Sequence, residues 1–388
     1  MLLSLSLSLA LLQSAALALL LVRLWPGRSR LPPVVPLTDS AGAGTVSIIV
    51  ATLDEARRIG PCLEGLIAQG PVVREIIIVD SGSADGTTDL VRAASARDPR
   101  IRLLRDDPLP AGWVGKVWAL QHGLAHANAD WVLGIDADTI PHAGLAGGAL
   151  AAAQGHRYDA VSFAPRFSAA TAPVRWLQPA LLVTLVYRFG AAGTNADGER
   201  IMANGQCFLA RRSALLGVGG YTSASASFCD DVTLARHLAR AGHRVGFLDG
   251  SRLYDVLSYG SAREAWREWG RSLDLKDATS RARQWGDVAF LAIVQGTPVP
   301  VLLLLALAAW TRGDMQLLST PLVGTSAALL GVRILLQRAL APCYAQRGVA
   351  FWLSPLADPL AALRILVSTL RRPTQWRGRQ YAEVHATS

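Results

Sequence analysis

The feature that most constrains this chain is a series of short apolar runs, each closed by acidic turn residues. Val46-Ser47-Ile48-Ile49-Val50, Glu75-Ile76-Ile77-Ile78-Val79 and Trp131-Val132-Leu133-Gly134-Ile135 read as buried strands. Helix signals run from Asp54 to Gln69 and from Val117 to Ala127 between them. Strands alternating with helices predict an α/β fold with a mostly parallel sheet and ligands at its carboxyl ends. The first strand is not followed by GxGxxG, which disfavours a dinucleotide-binding Rossmann domain.

The strand ends carry the chemistry. The third run continues into Asp136-Ala137-Asp138-Thr139. If the strand breaks there, both carboxylates can meet one divalent cation through hard oxygen ligands. A cation that also held two phosphates would place a nucleotide diphosphate at the sheet's edge. Taken alone, Asp-x-Asp is a polar strand end. The second run ends in Asp80-Ser81-Gly82-Ser83-Ala84-Asp85-Gly86-Thr87. Asp80 can accept hydrogen bonds from a base or ribose, or it can hold its own backbone turn. Lys116 opens a helix after Gly112-Trp113-Val114-Gly115, where the helix dipole does not favour a cation. That position suggests a bound anion, such as a diphosphate; the alternative is a solvated surface lysine. Phe228-Cys229-Asp230-Asp231 opens a further helix, where paired acids serve as caps or as catalytic groups.

The rest of the sequence points to a membrane. Hydrophobic residues make up 51% of the chain and charged residues 17%, too apolar for a purely soluble enzyme and too polar for a transporter. The net charge of +9 comes from arginines beside apolar segments, and no long basic run with interleaved aromatics argues for nucleic acid. Residues 1–25 read as a retained transmembrane anchor, and Arg23, Arg28 and Arg30 after its apolar run 2–22 predict a cytoplasmic catalytic domain. Residues 26–44 read as a linker and 45–255 as the α/β domain, with an apolar segment at 176–189 whose length suits an interfacial or buried position rather than a span. Tryptophans and arginines mixed over 256–287 predict interfacial helices, and Lys276 belongs to that basic set. Residues 288–371 read as two spans, the first kinked by Pro298 and Pro300, plus a re-entrant or third segment. Residues 372–388 form a basic tail. The four cysteines show no zinc-ligand spacing and read as reduced, mostly buried thiols.

The ordered set of motifs resembles a known family. Ser47 to Glu55, Val79 to Thr87, Gly115-Lys116-Val117-Trp118-Ala119-Leu120, Asp136-Ala137-Asp138 and Asp230-Asp231-Val232-Thr233-Leu234-Ala235 look like a family-2 glycosyltransferase of GT-A fold over about residues 46–250. The resemblance implies a nucleotide-sugar donor, inversion at the anomeric carbon, and a divalent metal, Mg or Mn. It implies nucleoside contacts from Glu55 and Asp80, and a donor contact from Lys116. Asp138 would hold the metal with help from Asp136. The family's Glu-Asp pair appears as Asp230-Asp231, which keeps the second acid, the family's base. The Gln-x-x-Arg-Trp motif of processive synthases is absent, so a single sugar is expected to move.

Longer strings narrow the resemblance. Trp113 to Leu120 resembles the hopanoid-associated branch. Met202 to Phe208, Phe228 to Asp231 and Trp269 to Asp277 are similar to cyanobacterial carotenoid (myxol-type) 2′-O-glycosyltransferases, and Arg271 in the last string is taken as a substrate contact. The expected acceptor is a hydroxyl of a membrane-soluble isoprenoid, reached along 176–189 and 263–285. Polyprenyl phosphate, a hopanoid or another lipid are the alternatives, and a non-catalytic membrane scaffold is the rival from outside enzymology.

Overall fold

A computed structural model describes residues 2–39, 44–272, 275, 278–370, 375–376 and 379–380. The chain divides into two compact units: a helical one (1–29, 168–191 and 258–372) and an α/β one (30–167, 192–257 and 373–388). After helix α1 (Leu2–Leu24) the α/β pattern runs β1 (Val46–Thr52), α2 (Ile59–Ile67), β2 (Val73–Asp80), α3 (Thr87–Arg97), β3 (Ile101–Arg105) and α4 (Gly115–His126). It continues through β4 (Trp131–Asp136), β5 (Thr139–Pro141), α5 (Leu145–Gly155), β6 (Ala160–Ala164) and β7 (Arg166–Ser168). Helix α6 (Ala172–Phe189) interrupts it, and β8 (Cys207–Arg211), α7 (Arg212–Gly217), α8 (Asp230–Arg240), β9 (Val245–Asp249) and β10 (Tyr254–Leu257) complete it.

Seven strands form one sheet in the order β3-β2-β1-β4-β8-β6-β9. β8 runs antiparallel to both neighbours and every other pair is parallel. The expected mostly parallel sheet is therefore a mixed one with a single reversed strand. Its central strands are apolar on both faces because helices cover both; Ile48, Val50, Ile76, Ile78, Leu133 and Ile135 belong to one buried core. Two polar groups inside that core satisfy each other: Ser47 donates to Glu75 at 2.8 Å, and Glu75 also accepts from Arg102 and the Asn128 amide.

Two elements differ from the sequence expectation. The helix expected from Asp54 begins only at Ile59. Asp54 sits at a φ of 53°, outside helical space, and the Glu55 carbonyl then accepts from the Arg58 and Ile59 amides to start the helix. The segment expected to be a linker is a docked strap within the α/β unit. Leu31 donates to the Gly193 carbonyl, Val34 to Asp249 and Leu37 to Gly144, and Arg30 pairs with Asp249 at 2.9 Å. Glycines make room for it. A Cβ on Gly148 would lie 2.4 Å from the Val35 carbonyl oxygen, and one on Gly70 equally close to that of Thr38.

The helical unit adds α9 (Ala262–Ser272), α10 (Arg281–Leu291), α11 (Pro298–Arg312), α12 (Pro321–Leu340), α13 (Val349–Trp352) and α14 (Asp358–Leu370). Ser4–Ser29 and Pro321–Cys343 are long and apolar enough to cross a membrane, and Arg281–Gly296 with Pro298–Arg312 forms a third candidate bent by 40°. The bend falls where Pro298 was expected to kink a span. Residues 349–370 break into short pieces, none long enough to span. Residues 176–189, expected at an interface or buried, lie inside this unit. Leu181 is fully buried, and Arg188 is buried against Asp287 at 2.9 Å. Trp266 and Trp269 also pack inward on the helix cluster rather than outward, while Trp285 stays half exposed. Lys276 and nearly all of the basic tail lie outside the described residues.

The strap gives the first prediction. Gly148→Ala should lower the α/β unit's stability by about 1–3 kcal/mol, because the new methyl meets backbone that cannot step aside. Gly155→Ala in the same helix, with nothing within 4 Å, should be neutral or slightly stabilising. Equal melting temperatures for the two variants would remove the strap from its groove.

Candidate active site

The register of the sheet gathers the site. β1 pairs with β2 on one side and β4 on the other, so Thr52 lies opposite Asp80 and Ala51 opposite Asp136. The carboxyl ends of three neighbouring strands thus bring Asp54, Asp80 and Asp136 to one edge, where parallel α/β sheets bind ligands.

The loops after β1 and β2 lock together through side chains. Asp54 takes a hydrogen bond from the Ala84 amide and gives its own amide to Ser83. Asp85 takes the Ala56 and Thr87 amides, and the Glu55 amide donates to Thr87. Asp80 is fully buried at the base of this brace. It accepts from the Gly82 and Ser83 amides and from the Ser83 and Thr52 hydroxyls. Of its two readings from the sequence, holding its own turn is the one seen. Glu55 is 5% exposed beside this loop.

The second half of the site is an excess of negative charge. Lys116, in the first turn of α4, meets Asp136 at 2.7 Å. Its partner is thus a carboxylate of the chain, which already accounts for a cation at this helix start. Asp138 faces Arg58 at 3.8 Å. Buried Ala137 separates two partly exposed acids, so both carboxylates sit on the open side of the turn. Asp230 and Asp231 open α8 in range of the same lysine. The loop before β8 ties the two ends: the Asp136 amide donates to the Gln206 carbonyl, and the Gly205 amide donates to Asp231 at 2.7 Å. Asp231 also accepts from the Val232 amide, so both of its oxygens are held. Buried Arg236 on α8 grips the Glu199 and Ile201 carbonyls and fixes that loop from below.

These surroundings set the protonation states. Burial raises Asp231, and the neighbouring Asp230 raises it further, to about 7 despite Lys116 and two amide donors. Asp230 is raised by burial and by Asp136, against the pull of Lys116. Burial alone would lower Lys116, but Asp136, Asp230 and Asp231 outweigh it and keep the ammonium charged. A carboxylate poised near neutrality and held in a fixed orientation is suited to general-base work.

The donor set also fits a divalent cation. Asp136 and Asp138 offer hard oxygens at one turn, and the local carboxylates outnumber the lysine among them. Among the described residues no group of three or more His, Cys, Asp or Glu side chains assembles to hold an ion. Two protein carboxylates with ligand oxygens completing the shell is the arrangement available.

Residues 47–218 match the model described as Glycosyl transferase family 2. Residues 47–218 thus resemble a family 2 glycosyltransferase domain. A mannosyltransferase from Pyrobaculum calidifontis, solved with GDP-Man and Mn2+, superposes with a TM-score of 0.56 at 20% identity, covering 94% of this chain and 98% of that one, which shows the fold. A probable glycosyltransferase of Bacillus subtilis is 25% identical over 56% of this chain and 50% of its own length. A dolichyl-phosphate beta-glucosyltransferase of Trichomonas vaginalis is 33% identical over 26% of this chain and 32% of its own. The chain thus spans about a third to a half of the curated relatives it matches.

The α/β unit brings together Glu55, Asp80, Lys116, Asp136, Asp138, Asp230 and Asp231. Arg271 falls in the helical unit and its side chain lies outside the described residues. Sequence reasoning missed Arg58, Gly205 and Gln121, which accepts from the Tyr221 amide beside the site. Arg58 lies three residues beyond the first motif, which ends at Glu55.

The raised Asp231 yields a pH prediction. Between about pH 4 and 7 the folded domain keeps a proton that the unfolded chain has released, so stability falls as pH rises through that window. Melting curves across the window should show a flatter slope for Asp231→Asn than for wild type. An unchanged slope would mean Asp231 titrates normally.

Proposed function

We propose that the chain transfers a single sugar, with inversion, from a nucleotide-sugar donor to a hydroxyl of a membrane-soluble isoprenoid, with a myxol-type carotenoid as the acceptor favoured by the sequence strings. The observation that carries the reading is Asp231: a carboxylate raised to about 7 and oriented by two amides, in range of Lys116 at the edge where three strand ends meet.

Asp231 takes the acceptor's hydroxyl proton as the oxygen forms its bond to the anomeric carbon. The bond from that carbon to the diphosphate breaks, and the nucleoside diphosphate leaves with the electron pair. Attack from the face opposite the leaving group inverts the centre. Lys116 keeps a positive charge where the diphosphate's negative charge grows. Glu55 and the braced turn at Asp80 form the nucleoside end. A divalent cation at Asp136 and Asp138, Mg2+ or Mn2+, would supply further charge to the leaving group. The Mn2+ of the mannosyltransferase structure supports this part. The acceptor class is supported by the candidate spans and by exposed apolar side chains on α11, Leu303, Leu304, Leu307 and Trp310. Arg23 in the last turn of α1, with Arg28 and Arg30 after it, supports a multi-pass protein with its catalytic domain in the cytoplasm.

The dolichyl-phosphate relative supports a second reading, transfer to a polyprenyl phosphate. A phosphate acceptor is already an anion and has no proton for a base to remove. The two readings therefore separate on Asp231.

Purified full-length protein should move label from a nucleotide sugar into extracted isoprenoid alcohols, and EDTA should stop it. Asp231→Asn should lose about 10²–10⁴-fold in transfer while still binding donor. Asp230→Asn should retain more. Near-normal transfer to the alcohols by Asp231→Asn would overturn the base assignment, and label entering a polyprenyl phosphate instead of the alcohols would favour the second reading.

A further inference from the structure

Each of the two carboxylates that fit a metal already has a cation of the chain beside it. Lys116 reaches Asp136 at 2.7 Å, and Arg58 faces Asp138 at 3.8 Å. The two cations come from different elements, Lys116 from the first turn of α4 and Arg58 from the residue before α2. Lys116 is the tighter of the two. Its side chain is 17% exposed, against 44% for Arg58, and Asp230 and Asp231 act on it as well. The position next to Gly205 is close-fitting: a Cβ there would stand 3.2 Å from the ammonium nitrogen and 3.3 Å from Asp231 Cβ. The lysine is thus seated in the carboxylate cluster by the shape of the loop as well as by charge.

A divalent ion at Asp136 and Asp138 competes with these cations for the same oxygens and repels both of them. Arriving alone, it must break the Lys116–Asp136 pair and leave the ammonium with fewer carboxylates to face. Arriving with a diphosphate, it brings an anion to which the displaced cations can turn. Metal and diphosphate would then bind with positive coupling, and the coupling would be reciprocal.

We propose that Lys116, with Arg58 beside it, is the resident counter-ion of the Asp136–Asp138 pair. It is handed to the donor's diphosphate when metal enters, so that metal binds tightly only together with a nucleoside diphosphate. This rests on the donor-site reading above and assigns these two residues a role in the order of binding. Arg58 becomes a positioning residue, and Lys116 a switch between two sets of partners.

The test is Mn2+ binding to the full-length protein, read by the electron paramagnetic resonance of free Mn2+, alone and with UDP or GDP. Wild type should bind Mn2+ weakly alone and more tightly with one of the two nucleotides. Lys116→Met keeps the apolar stem and removes the competing charge. It should bind Mn2+ alone about tenfold more tightly than wild type or better, as expected for loss of one unit charge at contact range in a partly enclosed site. Its gain from nucleotide should shrink. Arg58→Met should move in the same direction by less, because its pair is longer and more exposed. Melting in EDTA and in Mn2+ gives an independent readout: Lys116→Met should melt lower than wild type in EDTA and gain more from Mn2+. Lys116→Met binding Mn2+ alone no more tightly than wild type would overturn the proposal. If that variant does not fold, Arg58→Met without any gain would do the same. Wild type that binds no Mn2+ even with UDP and GDP would instead remove the metal and donor reading itself.

Discussion

The site depends on one unbalanced charge interaction, Lys116 set among Asp136, Asp230 and Asp231. The ammonium meets Asp136 at 2.7 Å, yet one cation does not neutralise three acids drawn from a strand end and a helix start. Burial, and after it the neighbouring Asp230, raise Asp231 to about 7. The same imbalance makes the place receptive to a cation and ready to take a proton.

Holding those acids together is the work of the scaffold. Parallel pairing of β1 with β2 and β4 sets the strand ends level. The reversed strand β8 then returns the chain along β4, and its entry loop places Gly205 and Gln206 between Asp136 and Asp231. Arg236 anchors that loop to α8. A side chain at 205 would press on the lysine and the aspartate together, so glycine there reflects close approach rather than a turn. The helical unit has its own polar interior, with Arg333 paired to Asp358 and Arg188 to Asp287, both buried. Ionised groups inside apolar helices persist only when paired in this way.

Much of this was legible in the sequence. The strand runs, the acids at their ends and the acidic helix start are local patterns, and hydrophobic periodicity reports them directly. What stayed hidden was contact between distant residues. Nothing near Arg58 points to Asp138, and nothing near Gly205 points to Lys116 or Asp231. The strap was read as a linker because proline and glycine mark both, and only the glycines beneath it, Gly70, Gly144, Gly148 and Gly193, show that it is docked. Length and apolarity leave residues 176–189 interfacial or buried, and only the packing of Leu181 and Arg188 chooses the buried reading. That Asp80 holds its own turn shows only in its four internal hydrogen bonds.

The central claim is that Asp231 drives one displacement at the anomeric carbon. The measurement that tests it most directly is the anomeric configuration of the product glycoside, determined by nuclear magnetic resonance against that of the nucleotide-sugar donor. A single displacement predicts the opposite configuration in the product. Retention of the donor's configuration would require a second displacement or a front-face attack, and would contradict the account.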